Sequence, residues 1–191
     1  MKQPAEKQPH PFRVWNAADE EYYCGYIDND GNVVIPPKYE IAEDFSEGLA
    51  CVAEHGWGKG YGFINTSGEV IISLKDGVMV YGSFHEGLCL VSVDGKCGFI
   101  DRRGAMVIPP QFDGADGFDH GVAPVRVGER EANGNWGFID HTGKFIVPPK
   151  YRLAEWPEYW CTSDGLLRLL DGNETYYFDL SGNQLWPKEI K

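Results

Sequence analysis

Short apolar runs and four-residue polar turns follow one another along most of the chain. The clearest copy is Gly98 to Pro110, where Gly-Phe-Ile and Met-Val-Ile flank the turn Asp-Arg-Arg-Gly. An Asp that opens a turn can accept hydrogen bonds from the amides after it, and a closing Gly adopts positive φ without a Cβ clash. The pattern therefore predicts a β-hairpin, with Gly104 in the left-handed region.

The same hairpin pattern occurs five times. Its turn glycine lies six residues after the first position in every copy, and successive copies start 37, 36, 39 and 39 residues apart. A fixed inner spacing within a slightly variable period indicates a tandem structural repeat. The five copies span 25–37, 62–74, 98–110, 137–149 and 176–186.

A second pattern, Phe-x-x-Gly followed by an apolar run, comes after the first three hairpins and recurs without the Phe at Gly165 to Leu169. Each unit thus offers three short strands and a shorter fourth segment, and helical periodicity is absent. We expect runs such as Val33 to Ile35 to be buried on both faces, and the paired prolines after them to end the strand. The second unit has Ser73-Leu74 in place of the prolines, and its strand is expected to run on to Tyr81.

The predicted fold class is all-β, with five tandem antiparallel β-meander units of about 36–39 residues in a curved open array. A closed five-bladed propeller is the alternative, but the chain ends after the third strand of the fifth unit. Residues 1–11 are predicted to form a loose arm, and 12–191 a single domain with Phe12 to Trp15 as its first strand.

These motifs carry a family resemblance. Gly-Phe-Ile-Asp-x-x-Gly-x-x-x-Ile-Pro-Pro, followed by Phe-x-Glu-Gly-Leu-Ala-x-Val, resembles the WG-repeat (KWG) proteins, which are found mainly in bacteria. The Trp-Gly pair itself stands in register only at Trp136-Gly137. The resemblance implies a β-repeat scaffold of unassigned function, with no catalytic residues to carry over.

Composition narrows the classes of partner. The 17 basic residues against 29 acidic residues give a net charge of −12, which repels phosphate backbones and anionic lipid. We therefore expect neither nucleic acid nor a membrane as partner. The repeat register explains most of the five cysteines, which show no metal or disulfide spacing, so we expect free thiols. No apolar leader segment is visible, and the cytoplasm is the predicted location.

The connections between each apolar run and the next hairpin differ in length, and repeat proteins often bind partners at such an edge. We predict a non-catalytic protein-binding module there, for example an acidic inhibitor or immunity-type protein that masks a basic partner. Trp57 is the expected aromatic anchor. The predicted partner-binding residues are Asp19, Glu20, Glu21, Trp57, Glu129, Arg130 and Glu131.

An aromatic cluster in the fourth unit supports an alternative function. Trp156, Tyr159 and Trp160 could stack on sugars as a glycan-binding or cell-envelope-binding platform, or could simply cover the end of the repeat array. The five histidines are scattered, and none pairs with a suitable Cys or Asp in the sequence. The Asp-rich turn at Asp28 to Asn32 is explained by turn chemistry. We expect no enzyme activity, cofactor or metal site.

Overall fold

The computed structural model describes residues 8–54, 60–128, 134–152, 160–161, 165–171 and 174–187. These ranges contain strands and turns but no helix. No helix within them could cross a bilayer. The seventeen strands are β1 His10–Asn16, β2 Glu21–Ile27, β3 Val33–Ala42, β4 Leu49–Glu54, β5 Tyr61–Asn65, β6 Val70–Ser73, β7 Val78–His85, β8 Leu88–Val93, β9 Lys96–Asp101, β10 Met106–Phe112, β11 Gly114–Ala115, β12 Val122–Val127, β13 Asn135–Asp140, β14 Phe145–Arg152, β15 Leu167–Asp171, β16 Glu174–Phe178 and β17 Gln184–Trp186.

The strands form four antiparallel sheets, in the orders β1-β2-β3-β4-β5-β6, β10-β9-β8-β7, β11-β12-β13-β14 and β15-β16-β17. None of these sheets closes into a barrel. The predictions of an all-β class and of five tandem hairpins are confirmed. The chain divides into two compact units: unit 1 comprises 1–94 with 101–105, and unit 2 comprises 95–100 with 106–191.

The hairpin turns form as the sequence predicts. All five turn glycines have positive φ: 83° at Gly31, 84° at Gly68, 78° at Gly104, 81° at Gly143 and 82° at Gly182. In the third copy, one carboxylate oxygen of Asp101 accepts the amides of Arg103 and Ala105, both at 2.9 Å. Asn65 does the same for Ser67 and Glu69 in the second copy. A side-chain acceptor therefore satisfies two turn amides that the strands leave unpaired.

Successive repeats pack through equivalent residues. A Cβ on Gly104 would lie 2.7 Å from Ile72 of the preceding hairpin, and one on Gly143 would lie 3.1 Å from Ile108. The Phe of each Phe-x-x-Gly motif packs against the aromatic residue of the hairpin before it, with ring centroids 4.8–4.9 Å apart. Each of the first three repeats therefore contributes one aromatic pair to the core, and the turn glycine fits beside an isoleucine of the preceding hairpin. The three aromatic pairs are Tyr26–Phe45, Phe63–Phe84 and Phe99–Phe118.

The prediction that paired prolines end a strand is wrong. β3, β10 and β14 all continue through their prolines, and the register with the neighbouring strand shifts there. The shift marks a bulge, which tolerates a residue without an amide hydrogen. The bulged backbone passes directly over the glycine of the opposite strand: a Cβ on Gly25 would lie 2.5 Å from the Ile35 oxygen and 2.7 Å from the Pro37 nitrogen.

Burial of the apolar runs on both faces is also wrong. Val33 and Val34 are 55% and 42% exposed, and only Ile35 is buried. Met106 and Val107 repeat this pattern before the buried Ile108. The first residues of these strands pair with one neighbouring strand only, so they lie at an edge of their sheet.

The prediction that the strand of the second repeat continues to Tyr81 is wrong as well. β6 ends at Ser73 and β7 begins at Val78, and the two strands belong to different sheets. Gly77, at φ 85°, lies in the turn between them. Without a Pro-Pro bulge the chain leaves the first sheet at this point.

The first strand starts earlier than the sequence predicts. β1 begins at His10, two residues before the predicted Phe12, and residues 1–7 lie outside the described part of the chain. The loose arm over 1–11 and the single domain over 12–191 stay predictions. None of the five cysteines forms a disulfide in the structure, which agrees with the expectation of thiols.

Candidate functional site

The β1–β2 hairpin ends in a pair of exposed aromatic side chains. Trp15 and Tyr22 face each other across the two strands and are 53% and 45% exposed. Their ring centroids lie 4.8 Å apart in an edge-to-face arrangement, and the Arg13 guanidinium carbon lies 3.8 Å from the centre of the Tyr22 ring. Both contacts are favourable geometries for these groups. We refer to residues 13–23 as the hairpin tip.

Side-chain hydrogen bonds fix the turn of the hairpin tip. Asn16 accepts the amide of Ala18 at 3.0 Å and donates its own side-chain amide to Asp19 at 2.7 Å. The hydroxyl of Tyr23 also donates to Asp19, at 3.0 Å. This hydrogen bond to a carboxylate raises the pKa of Tyr23. These hydrogen bonds favour the turn conformation of the exposed tip.

The hairpin tip also carries a group of carboxylates. Asp19, Glu20 and Glu21 are exposed, and Glu20 lies at φ 54° in the turn. They are the described members of the partner-binding set predicted from the sequence. Because side chains alternate along β2, Glu21 and the Asp19–Tyr23 pair lie on the face opposite Tyr22. The tip therefore presents an aromatic pair on one face and carboxylates in its turn and on the other face, and both groups suit the side chains of Lys and Arg.

A cavity of about 470 Å³ lies beside the first sheet, where the second repeat lacks its Pro-Pro pair. Gly62, Ser73 and Leu74 line it, together with the carboxylates of Glu54 and Asp76. A Cβ on Gly62 would meet only the Ile72 oxygen, at 2.9 Å. In the first repeat, the Pro-Pro bulge occupies the equivalent space over Gly25. The two carboxylates make the cavity a second acidic feature of unit 1.

One rung of the first sheet joins the hairpin tip to this cavity. Arg13 pairs with Cys24, Cys24 with Tyr39, and Tyr39 with Glu54. Neighbouring strands lie about 4.8 Å apart, so three steps span about 14 Å. A protein interface of standard size buries roughly 800 Å² on each side. One partner could therefore cover both features.

The other predicted site residues divide into two groups. Trp160 is described, and it is buried at 8% exposure, with its ring 4.6 Å from that of Trp136. It contributes to the core and not to an exposed row of aromatic rings. The remaining predicted residues lie outside the described part of the chain, and their roles stay predictions: Trp57, Glu129, Arg130, Glu131, Trp156 and Tyr159.

Sequence reasoning placed Trp15 in a strand and overlooked the exposed pair. The signal was present, because residues 15 and 22 are symmetric about the four-residue turn 17–20, and symmetric positions of a hairpin pair directly. Glu54 and Asp76 were missed because their proximity depends on the broken strand between β6 and β7.

The family assignment agrees with this architecture. The family model of the WG-containing repeat matches residues 25–56, 61–97, 98–130 and 136–155, which together make up more than half of the chain. The chain belongs to the WG-containing repeat family. No curated protein sequence matches it. The structure adds a fifth hairpin, β16–β17, beyond the last matched residue.

Proposed function

We propose that this chain is a non-catalytic protein-binding module whose hairpin tip binds a basic surface of its partner. The observation that carries the proposal is the exposed Trp15–Tyr22 pair in a hairpin tip whose turn and following strand carry three exposed carboxylates. An acidic inhibitor or immunity-type protein, which masks a basic partner, would use such a surface.

The aromatic pair would supply most of the affinity. Trp and Tyr are the residues most often found at energetic centres of interfaces, where truncation commonly costs about 2 kcal/mol or more. Both rings are already held in place by their contact and by Arg13. Little side-chain entropy would be lost when a partner covers them.

The carboxylates would attract and orient the partner. The net charge of −12 extends the effect beyond the tip, and exposed charges act over about 8 Å at physiological salt. Such charges change the association rate more than the dissociation rate. Glu54 and Asp76 in the cavity offer a second position for a Lys or Arg side chain.

The test is to isolate binding proteins from the source cell at low salt with the full chain as bait. The variants Trp15→Ala and Tyr22→Ala should lose the partner. Trp186→Ala and Tyr81→Ala are matched controls, since these aromatic residues are 50% and 53% exposed elsewhere in the chain, and both should retain it.

Two results would contradict the proposal. One is equal recovery of the same protein by the tip variants and by the wild type. The other is loss of binding in the Trp186→Ala and Tyr81→Ala controls to the same extent, because binding would then depend on exposed aromatic residues in general.

A further inference from the structure

Three possible metal ligands of different types converge in unit 2. The Asp119 carboxylate, the His120 imidazole and the Cys161 thiol each offer one ligand atom, and these atoms all lie within 4.8 Å of one another. His120 Nδ1 lies 2.9 Å from Asp119 Oδ1 and 3.7 Å from Cys161 Sγ. The cluster is distant in sequence from the hairpin tip and belongs to a different unit.

A two-residue turn positions the first two groups. His120 and Gly121 lie at φ 54° and 83°, between residues 119 and 122, whose backbones pair in both directions. The same turn in the other repeats carries Glu47 and Glu86 in place of His120, at φ 52°. This repeat therefore presents an imidazole where the others present a carboxylate.

Core packing positions Cys161. The preceding Trp160 packs against Trp136 and donates its ring N–H to the Asp116 carboxylate at 3.1 Å. Cys161 itself forms a backbone bridge with Leu167. The thiol is half-buried, whereas His120 and Asp119 are exposed. The cluster thus joins a fixed, partly buried sulfur to two groups at the surface.

The geometry distinguishes metal binding from nucleophilic catalysis. In a Cys-His-Asp triad, the thiol and the carboxylate contact different nitrogens of the imidazole ring. Here the Asp119 and Cys161 contacts both involve Nδ1 of His120. Three ligand atoms that converge from one side suit a shared cation instead.

The two distances from His120 Nδ1 can be compared with those of a tetrahedral site. With Zn–N, Zn–O and Zn–S lengths of about 2.1, 2.1 and 2.3 Å, a regular tetrahedron has an N–S edge of about 3.6 Å and an N–O edge of about 3.4 Å. The N–S distance of 3.7 Å already matches. The N–O distance of 2.9 Å must open by about half an ångström, which an exposed Asp side chain can achieve by rotation.

We propose that Asp119, His120 and Cys161 form a site for a divalent transition metal of the zinc type. Thiolate, imidazole and carboxylate together favour Zn²⁺ over Mg²⁺ or Ca²⁺, which prefer oxygen ligands. Three protein ligands leave the fourth position for water or for a ligand from a partner. On binding, the thiol releases its proton to solvent and the sulfur coordinates the metal, with no change of oxidation state. This proposal differs from the sequence analysis, which expects no metal site.

The test uses Co²⁺ as a spectroscopic probe of the reduced full chain, followed by Zn²⁺ competition. Wild-type protein should bind one equivalent and show the near-ultraviolet charge-transfer band of a cobalt–thiolate bond. Cys161→Ser should abolish the band, and His120→Asn should weaken binding by more than about 100-fold, beyond the effect of losing an outer-shell partner. Asn is chosen for position 120 because it tolerates positive φ.

Cys97→Ser is the matched control, since Cys97 is another half-buried cysteine of unit 2, and it should bind like the wild type. A second measurement covers variants that fold poorly: Zn²⁺ should raise the melting temperature of the wild type and of Cys97→Ser, but not that of His120→Asn. The proposal is overturned if the wild type shows no charge-transfer band, or if His120→Asn binds cobalt as tightly as the wild type.

Discussion

The turn aspartates are the residues whose chemistry is most uniform along the chain. The Ala105 amide and the side chain and amide of Arg103 donate to Asp101, and the pKa of Asp101 lies below its usual value. Asp28, Asp140 and Asp179 also have lowered pKa values, which result chiefly from side-chain hydrogen bonds with Asn32, Thr142 and Asn183, respectively. Each group favours its charged form in the folded protein.

This uniformity predicts an acid-sensitive fold. The unfolded carboxyl takes up its proton near pH 4, whereas the folded one does so at lower pH. The stabilisation is therefore complete above about pH 4 and is lost as the pH falls through the folded value. Asp101→Asn keeps the acceptor oxygen, as Asn65 does naturally, but it cannot titrate.

We expect the free energy of unfolding of Asp101→Asn to fall less steeply than that of the wild type between about pH 5 and pH 3. Urea unfolding at several pH values measures the two slopes. Identical slopes would show that Asp101 does not contribute to acid sensitivity.

The turn glycines serve two purposes, which a pair of variants can separate. Gly104 and Gly77 lie at φ 78° and 85°, but an added Cβ meets Ile72 at 2.7 Å only at Gly104. Alanine at either position should cost about 1–2 kcal/mol for the left-handed backbone. Gly104→Ala should cost about 1–3 kcal/mol more, because it overpacks the contact with the preceding repeat.

Chemical denaturation of Gly104→Ala and Gly77→Ala gives the comparison directly. An equal loss of stability in the two variants would mean that the turn glycine is required for its backbone angle alone, and that packing against Ile72 adds nothing.

Among the structural elements, the Pro-Pro bulge explains why the hairpin begins with glycine. A Cβ on Gly98 would come within 3 Å of three backbone atoms of the bulged strand, at 2.5, 2.8 and 2.9 Å. Gly62, opposite the repeat without prolines, would meet one such atom at 2.9 Å. The backbone of the bulge cannot rotate away as a side chain can.

Gly98→Ala should therefore destabilise the protein by about 1–3 kcal/mol more than Gly62→Ala. The midpoints of urea unfolding measure this difference. A larger loss in Gly62→Ala would contradict the role given to the bulge, because the glycine would then be needed where no Pro-Pro pair is present.

The elements that the sequence predicts correctly are those determined by a few consecutive residues. The turn at Asp101 to Gly104 depends on four residues, and its geometry follows from their side chains alone. The exposure of Val33 and the break after Ser73 depend on which strand lies beside them. Nearby residues in the sequence do not determine that neighbour. His120 and Cys161 are 41 residues apart, and their approach depends on tertiary contacts such as the packing of Trp160 against Trp136.

Across the whole molecule, the repeats form a regular scaffold, and the features on which both proposals rest are departures from the repeat. The aromatic pair lies in the first connection, before the first matched repeat. The cavity lies where the Pro-Pro pair is missing, and the ligand cluster lies where a glutamate position holds His120. Residues that break the repeat register are accordingly the first to test for function.

The proposed function is tested most directly by the association rate with the captured partner, measured from about 50 mM to about 500 mM salt. The account predicts that the rate falls as salt rises. It also predicts that Glu20→Gln with Glu21→Gln reduces this dependence while the dissociation rate changes little. The charge-matched control, Asp30→Asn with Glu69→Gln, removes two exposed carboxylates that lie outside the tip. Its association rate should keep a salt dependence closer to that of the wild type. An association rate that is unaffected by both salt and the tip substitutions would contradict the account.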